Sequence, residues 1–224
     1  MTITAGGGRL SGLLALPEGK GPFPAVVVIH EAFGLNDNIK DITRRFAGEG
    51  YAALGVDLFS AGPRWVCMAQ FMSGLFVNSL NHSGIKGLKA SLDYLVGRPE
   101  VDADRVGAVG YCMGGSFAIA WACTDDRLKA IAPYYAMNPR PLEAVARLCP
   151  VVGSYPGKDP VSTGAGHKLD VELDGYGIDH QIKMYPGANH SFFNDTSKNY
   201  NEAAANDSWQ RVLAFFEDKI KTAH

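Results

Sequence analysis

Short apolar runs alternate with longer amphipathic stretches along the chain, and this alternation restricts the fold more than any other feature of the sequence. The runs PAVVVIH at 24–30 and RVGAVG at 105–110 are almost continuously apolar, as expected for strands buried on both faces. Strands separated by helical stretches form strand-helix-strand units, whose strands pair in parallel. The sequence therefore predicts an α/β fold, with a mostly parallel sheet and helices on both of its faces.

The same pattern predicts the individual elements. Strands are expected near 8–16, 24–30, 51–56, 105–110, 128–134, 149–154 and 180–185. Helices are expected at 37–49, 84–97, 114–122, 140–147, 165–176 and 203–220. Segment 60–83 has weak periodicity, many aromatic residues and little charge. It is predicted either as a loop or broken helix over a pocket or as a packed excursion under the helices.

Length and composition limit the number of domains and the kinds of partner. The 224 residues are 46% hydrophobic and 20% charged, so we expect one α/β domain over residues 1–224. The formal net charge of -2 does not favour phosphate backbones, so nucleic acid is not an expected partner. No apolar run approaches the roughly 20 residues of a membrane helix, and the start MTITAGGGRL lacks the pattern of a secretory signal. We expect a cytoplasmic protein, without a membrane partner, that is a monomer or a weak homo-oligomer.

The spacing of cysteine, histidine and glycine residues argues against disulfide, metal and nucleotide sites. Cysteines at 67, 112, 123 and 149 form no CxxC pair and no closely spaced disulfide framework, so reduced thiols are expected. The motif HEAFG lacks the second histidine of a zinc-binding HExxH, and GSYPGKDP is too short for a phosphate-binding loop. Metal and nucleotide sites are therefore not predicted.

The stretch GYCMGG at 110–115 joins the apolar run RVGAVG to the uncharged segment SFAIAWAC. Gly110-x-Cys112-x-Gly114 has the form of a nucleophile elbow, with Cys in the position where Ser is commoner. Glycines on either side let the strand and helix of such a strained turn pass closely. The sulfur would lie at the N-terminus of the helix, where the dipole favours a thiolate. The alternative is that Cys112 is a small buried apolar residue in a tight turn.

A nucleophile of this kind needs a base and an acid, which follow it along the chain in the order acid, base. Asp159 lies in the turn GSYPGKDP after the apolar run CPVVGS, and His190 lies in GANHSF after the run HQIKMY. Both turns follow the carboxyl end of a predicted strand, where ligand sites of parallel sheets lie. Each residue alone has an ordinary surface-turn explanation. Three matches in the right order favour Cys112, Asp159 and His190 as one catalytic group.

The motif VVVIHEAFG adds a loop after an early strand. Such a loop usually supplies one N–H donor of an oxyanion hole, and the residue after the nucleophile supplies the other. Here these donors would be Ala32 and Met113. Glu31 is unusual for a simple turn, because a carboxylate beside a buried strand end is costly unless it is paired. A thiol proton or an arginine would be a suitable partner.

Together, GYCMGG, HEAFG, the GKD turn and GANHSF resemble the dienelactone hydrolase family of α/β-hydrolases, in an order that covers about residues 8 to 218. The resemblance implies an α/β-hydrolase fold of about seven or eight strands, without a large separate lid domain. It implies a triad of Cys112, His190 and Asp159, with Glu31 as a helper carboxylate that contacts the resting thiol and lets it ionise when substrate binds. It also implies hydrolysis of small lactones or esters without a metal or an organic cofactor.

The chain departs from this family at a position that concerns the substrate. Family members that act on the anionic dienelactone carry a basic residue shortly after HSF, whereas Phe193 and Asn194 are found here. A carboxylate clamp is not expected from that side. Arg64 is the candidate anion contact, with a solvated loop arginine as the alternative. The candidate aromatic residues of a substrate pocket, each also explained by core packing, are Phe33, Tyr111, Tyr135 and Phe192.

Two other functions remain open at this stage. A cysteine peptidase or acyltransferase would use the same triad and differ only in the acyl acceptor. A ligand-binding homologue would have kept the scaffold and lost turnover, although every catalytic position carries a competent residue type. The predicted function is hydrolysis of a small-molecule ester or lactone.

Overall fold

Eight strands form one sheet in a computed structural model that describes residues 2–5 and 8–222. In chain order they are β1 (Thr2–Ala5), β2 (Gly8–Ala15), β3 (Phe23–Ile29), β4 (Ala52–Asp57), β5 (Val101–Tyr111), β6 (Leu128–Tyr134), β7 (Val151–Pro156) and β8 (His180–Tyr185). Across the sheet the order is β1-β2-β4-β3-β5-β6-β7-β8. β2 is antiparallel to β1 and to β4, whereas the six strands in the order β4-β3-β5-β6-β7-β8 are parallel to one another. The carboxyl ends of these parallel strands meet at one end of the sheet.

Six α-helices connect and cover the strands. They are α1 (Asp37–Gly48), α2 (Arg64–Val77), α3 (Ser83–Val96), α4 (Met113–Ala122), α5 (Pro160–Tyr176) and α6 (Glu202–Phe216). Short 3-10 helices occupy Leu58–Ala61 and Leu142–Arg147, and a π-helical turn follows α6 at Glu217–Lys221. In the described part of the chain, each helix is too short or too polar to span a lipid bilayer.

The core has two halves, one on each face of the sheet. Successive residues of β3 alternate between them, so that Val27 and Ile29 belong to one apolar cluster and Val26 and Val28 to the other. Buried residues of α3, α4 and α5 complete the first cluster, and those of α1 and α6 complete the second. The predicted α/β fold, with a mostly parallel sheet and helices on both faces, is confirmed.

The element bounds differ from the prediction in a few places. The helix expected at 165–176 begins at Pro160, because the carboxylate of Asp159 caps its N-terminus by accepting the N–H of Val161 and proline suits the first turn. Segment 60–83 contains the helix α2, and 140–147 contains a 3-10 helix instead of an α-helix. Strand β1 was not expected, and β5 begins at Val101, four residues before the predicted start.

Candidate active site

Cys112 forms a sharp turn between β5 and α4. Its φ of 55° and ψ of -116° are unfavourable for a residue with a side chain. The strand and helix approach so closely that a Cβ at Gly110 would lie 2.1 Å from the carbonyl oxygen of Gly114. A Cβ at Gly114 would lie 2.4 Å from the carbonyl oxygen of Ile29. Both positions therefore require glycine, as the elbow interpretation predicts.

The turn directs Cys112 into a cavity of about 290 Å³ at the carboxyl ends of the strands. Six of the residues predicted for the site line this cavity: Ala32, Cys112, Met113, Tyr135, Asp159 and His190. The sequence did not single out the other residues of the lining: Ser116, Met137, Asn138, Arg140, Val161 and Ser162. The structure thus brings together residues from four separate strand ends and the elbow.

His190 and Asp159 form a hydrogen-bonded pair in which Nδ1 lies 2.7 Å from Oδ2. The same Oδ2 accepts the hydroxyl of Ser162 at 2.5 Å, and Oδ1 accepts the N–H of Val161 at 3.2 Å. Although burial acts to raise the pKa of Asp159, these hydrogen bonds and the histidine hold it below its usual range. A carboxylate that accepts Nδ1–H leaves Nε2 of His190 able to take a proton.

The thiol of Cys112 is protonated at neutral pH, because its surroundings disfavour a negative charge. Burial, and then the nearby charges of Glu31 and Asp159, raise its pKa to about 11. The backbone N–H of Met113 acts in the opposite direction by donating to the sulfur. Ionisation of the thiol therefore needs a proton acceptor within the cavity.

Glu31 is buried, at 3% exposure, and three uncharged groups donate to its carboxylate. Oε1 accepts the hydroxyls of Tyr135 at 3.2 Å and Ser191 at 2.9 Å, and Oε2 accepts the side-chain amide of Asn194 at 3.1 Å. These bonds replace the hydration that burial removes. The sequence suggests two alternative partners for Glu31, an arginine or the thiol proton, and neither is among its hydrogen-bond partners in the described residues. The charge of the carboxylate acts to raise the pKa of Cys112.

His30 anchors the loop that carries Glu31. It is fully buried, and burial lowers the pKa of its imidazole. Nε2 accepts the N–H of Leu58 at 3.0 Å, so the ring proton is on Nδ1, which lies 2.5 Å from the carbonyl oxygen of Glu31. A neutral histidine therefore ties this loop to the end of β4.

Four residues predicted to contact substrate lie outside the lining of the cavity. Tyr111 and Phe192 are buried in the apolar core, and Phe33 is 62% exposed. Arg64 belongs to α2, where its guanidinium donates to the carbonyl oxygen of Ala32 at 2.9 Å and lies over the ring of Phe59. Of the predicted aromatic residues, only Tyr135 lines the cavity.

Three further residues support the site. One of them lies close in sequence to a predicted site residue, and the other two lie far from the residue that they contact. Ser162 follows Asp159 by three residues in the first turn of α5, and the Asp-Pro start of that helix is a signal that sequence reasoning can detect. Ser191 and Asn194 contact Glu31 from 160 and 163 residues away. No local pattern signals such contacts. Among residues 2–5 and 8–222, no three His, Cys, Asp or Glu side chains are grouped so that they could hold a metal ion.

Comparisons with known proteins identify the family of the chain. A model of the dienelactone hydrolase family matches residues 10–220. A protein of Saccharolobus solfataricus, provisionally named a carboxymethylenebutenolidase, is 32% identical over 93% of this chain and 94% of its own length.

Solved structures give the same result. A provisionally named dienelactone hydrolase from Klebsiella pneumoniae has a TM-score of 0.85 and 28% identity, covering 96% of each chain. A dienelactone hydrolase-like promiscuous phosphotriesterase from metagenomic libraries has a TM-score of 0.84 and 29% identity, covering 97% of this chain and 96% of its own. The family match spans most of the sequence and the structural likeness spans nearly all of it. The chain belongs to the dienelactone hydrolase family of α/β-hydrolases, and it is a hydrolase of the lactone and ester class.

Proposed function

We propose that the protein hydrolyses small lactones or carboxylic esters by covalent catalysis. Cys112 is the nucleophile, His190 transfers protons, and Asp159 orients the imidazole. One observation carries the proposal: the thiol at the strained elbow and the His190–Asp159 pair line the same cavity of about 290 Å³. A nucleophile, a base and a residue that orients the base are the parts that acyl transfer requires.

The reaction begins with ionisation of the thiol. The pKa of about 11 keeps the proton on the sulfur at rest, so Nε2 of His190 removes it when a substrate occupies the cavity. The resulting imidazolium is stabilised by the carboxylate of Asp159 at 2.7 Å. The N-terminus of α4 stabilises the thiolate.

The thiolate then attacks the carbonyl carbon. A carbon–sulfur bond forms, and the carbonyl electron pair moves to oxygen. The N–H groups of Met113 and Ala32 stabilise this oxyanion, a contact worth about 3 kcal/mol for each donor. When the tetrahedral intermediate collapses, the leaving alkoxide takes the proton from His190. In a lactone the released hydroxyl stays attached to the acyl chain.

Hydrolysis of the thioester completes the cycle. His190 removes a proton from water, the hydroxide adds to the thioester carbonyl, and the thiolate of Cys112 leaves. General-base assistance of this type adds about 10²- to 10⁴-fold to the rate. The thiolate recovers its proton from His190, so one ester and one water yield one acid and one alcohol.

Glu31 controls the resting state of the nucleophile. Its charge opposes ionisation of Cys112, and three neutral donors hold it in position. The thiol therefore stays neutral until a substrate occupies the cavity and His190 accepts the proton. This assignment makes Glu31 a positioning and electrostatic residue, not the base.

The proposal is tested by trapping the acyl-enzyme. The protein is mixed with an activated aryl ester, quenched with acid and examined by intact mass spectrometry and peptide mapping. We expect an acyl group on the peptide that contains Cys112. In the Asp159→Asn variant, which keeps a helix-capping side chain, slower hydrolysis of the thioester increases the trapped fraction.

Cys67→Ala is the matched control, since Cys67 is buried on α2 away from the cavity lining. Turnover of the ester with no adduct on Cys112 would contradict the covalent mechanism. Transfer of the acyl group to an added amine in preference to water would favour an acyltransferase or peptidase. Binding of the ester without any turnover would favour a homologue that has lost catalysis.

A further inference from the structure

The backbone is strained at three positions around the candidate active site. Among the residues that the structure describes, those other than glycine with a positive φ are Cys112 at 55°, Tyr135 at 39° and Ser191 at 62°. Such angles are unfavourable for residues with a side chain, and they persist only where surrounding contacts hold them. The elbow accounts for the strain at Cys112, but not for the strain at Tyr135 and Ser191.

These last two positions share one hydrogen-bond acceptor. The hydroxyl of Tyr135 donates to Oε1 of Glu31 at 3.2 Å, and the hydroxyl of Ser191 donates to the same oxygen at 2.9 Å. Tyr135 follows β6, whereas Ser191 lies in the loop after β8. Because Glu31 is buried, its bonds to these donors are stronger than they would be in water. One buried oxygen therefore holds two strained turns.

The turn that begins at Ser191 is bound to both oxygens of this carboxylate. The N–H of Asn194 donates to the carbonyl oxygen of Ser191 at 3.1 Å, which closes a four-residue turn. Its first side chain donates to Oε1 of Glu31, and its last, the amide of Asn194, donates to Oε2 at 3.1 Å. His190 directly precedes this turn. The backbone that carries the imidazole is therefore anchored on Glu31.

The residue His190 is restrained from two further directions. The ring of Tyr135 lies against the imidazole, with centroids 4.9 Å apart and an angle of 54° between the planes. The side-chain amide of Asn199 donates to the carbonyl oxygen of His190 at 2.9 Å. Two of the contacts that surround the histidine, the ring of Tyr135 and the turn at Ser191, thus end on the same oxygen of Glu31.

We propose that Oε1 of Glu31 sets the orientation of His190. It acts through two positioning residues, Ser191 and Tyr135, whose strained backbone it holds. A strained turn relaxes when the contact that holds it is lost, so the imidazole moves with the backbone. A displacement of about 1 Å lowers the rate of a positioned group by about 10²-fold. This inference rests on the proposed function, because His190 is the proposed base.

The kinetic test removes the two hydroxyls. Ser191→Ala and Tyr135→Phe each differ from the wild type by one oxygen atom, which is a donor to Glu31. We expect kcat for an aryl ester to fall about 10- to 100-fold in each variant. KM should change little in Ser191→Ala, because Ser191 lies outside the cavity lining. The matched controls are Ser73→Ala and Tyr176→Phe, at exposed sites outside the lining.

Two further variants separate the hydroxyl from the backbone angle. Glycine adopts a positive φ without strain, so Ser191→Gly keeps the turn accessible and loses the hydroxyl. We expect it to lose kcat as Ser191→Ala does. Glu31→Ala removes the shared acceptor, so the effect of Ser191→Ala on kcat should be much smaller in that background.

Proton NMR measures the restraint on the imidazole without turnover. The Nδ1 proton of His190 lies in a 2.7 Å bond to the triad carboxylate, and its far-downfield signal is assigned by its loss in His190→Asn. We expect Ser191→Ala and Tyr135→Phe to broaden this signal, because the loosened ring exchanges its proton with water faster. The Nδ1 proton of His30, which is buried and donates to a backbone carbonyl oxygen, is the internal reference.

The outcomes separate this inference from the proposed function. An unchanged His190 signal and unchanged kcat in both hydroxyl variants would overturn the inference and leave the hydrolase intact. Full kcat in Ser191→Gly, or loss of the His30 signal together with that of His190, would also overturn it, since the hydroxyl would then have no specific role. A broadened His190 signal with unchanged kcat would support the positioning and remove His190 from the mechanism, so that the proposed function fails.

Discussion

The two ends of α4 each carry a cysteine, and their surroundings are opposite. Cys112 precedes the helix, with a positive φ and a sulfur that lines a cavity containing a histidine and a carboxylate. Cys123 follows the helix, with ordinary helical geometry and 2% exposure. Burial raises the pKa of both thiols, to about 11 for Cys112 and about 12 for Cys123.

Burial and pKa therefore do not distinguish Cys112, the proposed nucleophile, from Cys123. The position along the helix does, because the dipole favours a thiolate at the N-terminus and opposes one at the C-terminus. The other difference is the partner: His190 shares the cavity of Cys112, whereas Cys123 is enclosed by apolar core. A reactive cysteine in this fold is recognised by what it faces.

The largest expected difference between the two ends is in turnover. Cys112→Ala should reduce the hydrolysis of aryl esters by about 10⁴-fold or more, since the covalent route is removed. Cys123→Ala should keep its turnover and lose about 1 kcal/mol of the free energy of unfolding, because a buried sulfur is replaced by a small cavity. Initial rates and urea denaturation measure the two effects. If Cys112→Ala keeps full turnover, the nucleophile is a different residue.

A smaller effect, on the stability of the protein in acid, is expected in the middle of α4. There Phe117 packs against His82 with ring centroids 4.6 Å apart. Burial lowers the pKa of His82 to about 4, from an ordinary value of 6.5. Between these values the unfolded chain binds the proton and the folded chain does not, so stability falls as pH falls from 6.5 to 4. The shift corresponds to about 3 kcal/mol.

His82→Asn removes this titration and keeps a side chain that can cap α3, as Nδ1 of His82 does by accepting the N–H of Gly84. Urea unfolding at several pH values should show a weaker loss of stability in acid for the variant than for the wild type. His167→Asn, at an exposed site, is the control. Identical acid profiles for His82→Asn and the wild type would contradict the assignment.

The smallest expected effect is on the reactivity of the resting thiol. Glu31→Gln removes the second-largest cause of the raised pKa of Cys112, after burial, so the pKa should fall from about 11. Each unit of decrease raises the thiolate fraction, and hence the rate of alkylation by iodoacetamide, about tenfold below the pKa. The rate is followed by mass spectrometry, with Cys123 in the same protein as the unreactive reference. A slower reaction in the variant would reverse the role assigned to Glu31.

Much of the fold is predictable because buried parallel strands are encoded locally. The observed bounds of β6 and β8 match the predicted ranges 128–134 and 180–185, since each is a short run bounded by turn residues. The elbow can also be predicted from a short stretch of sequence, because the close approach of strand and helix requires glycine at positions 110 and 114. The start of α5 was missed because the cap at Asp159 was interpreted only as a catalytic turn.

The lining of the cavity and the surroundings of Glu31 were not predictable in this way. Arg64, the predicted anion contact, donates to the carbonyl oxygen of Ala32 from α2 and lies outside the cavity lining, whereas Arg140, which the sequence did not single out, belongs to the lining. The amide of Asn194 reaches Glu31 only because β8 and β3 end at the same side of the sheet. Such contacts depend on strand order, which alternating patterns do not specify.

The protonated state of Cys112 has a consequence for its resistance to oxidation. With a pKa of about 11, only about one sulfur in 10⁴ is ionised at pH 7. Peroxides and disulfides react with the ionised form, so the empty enzyme offers them little to attack. In the mechanism proposed above the sulfur is ionised while an ester is bound, so we expect oxidants to inactivate the protein faster during turnover than at rest.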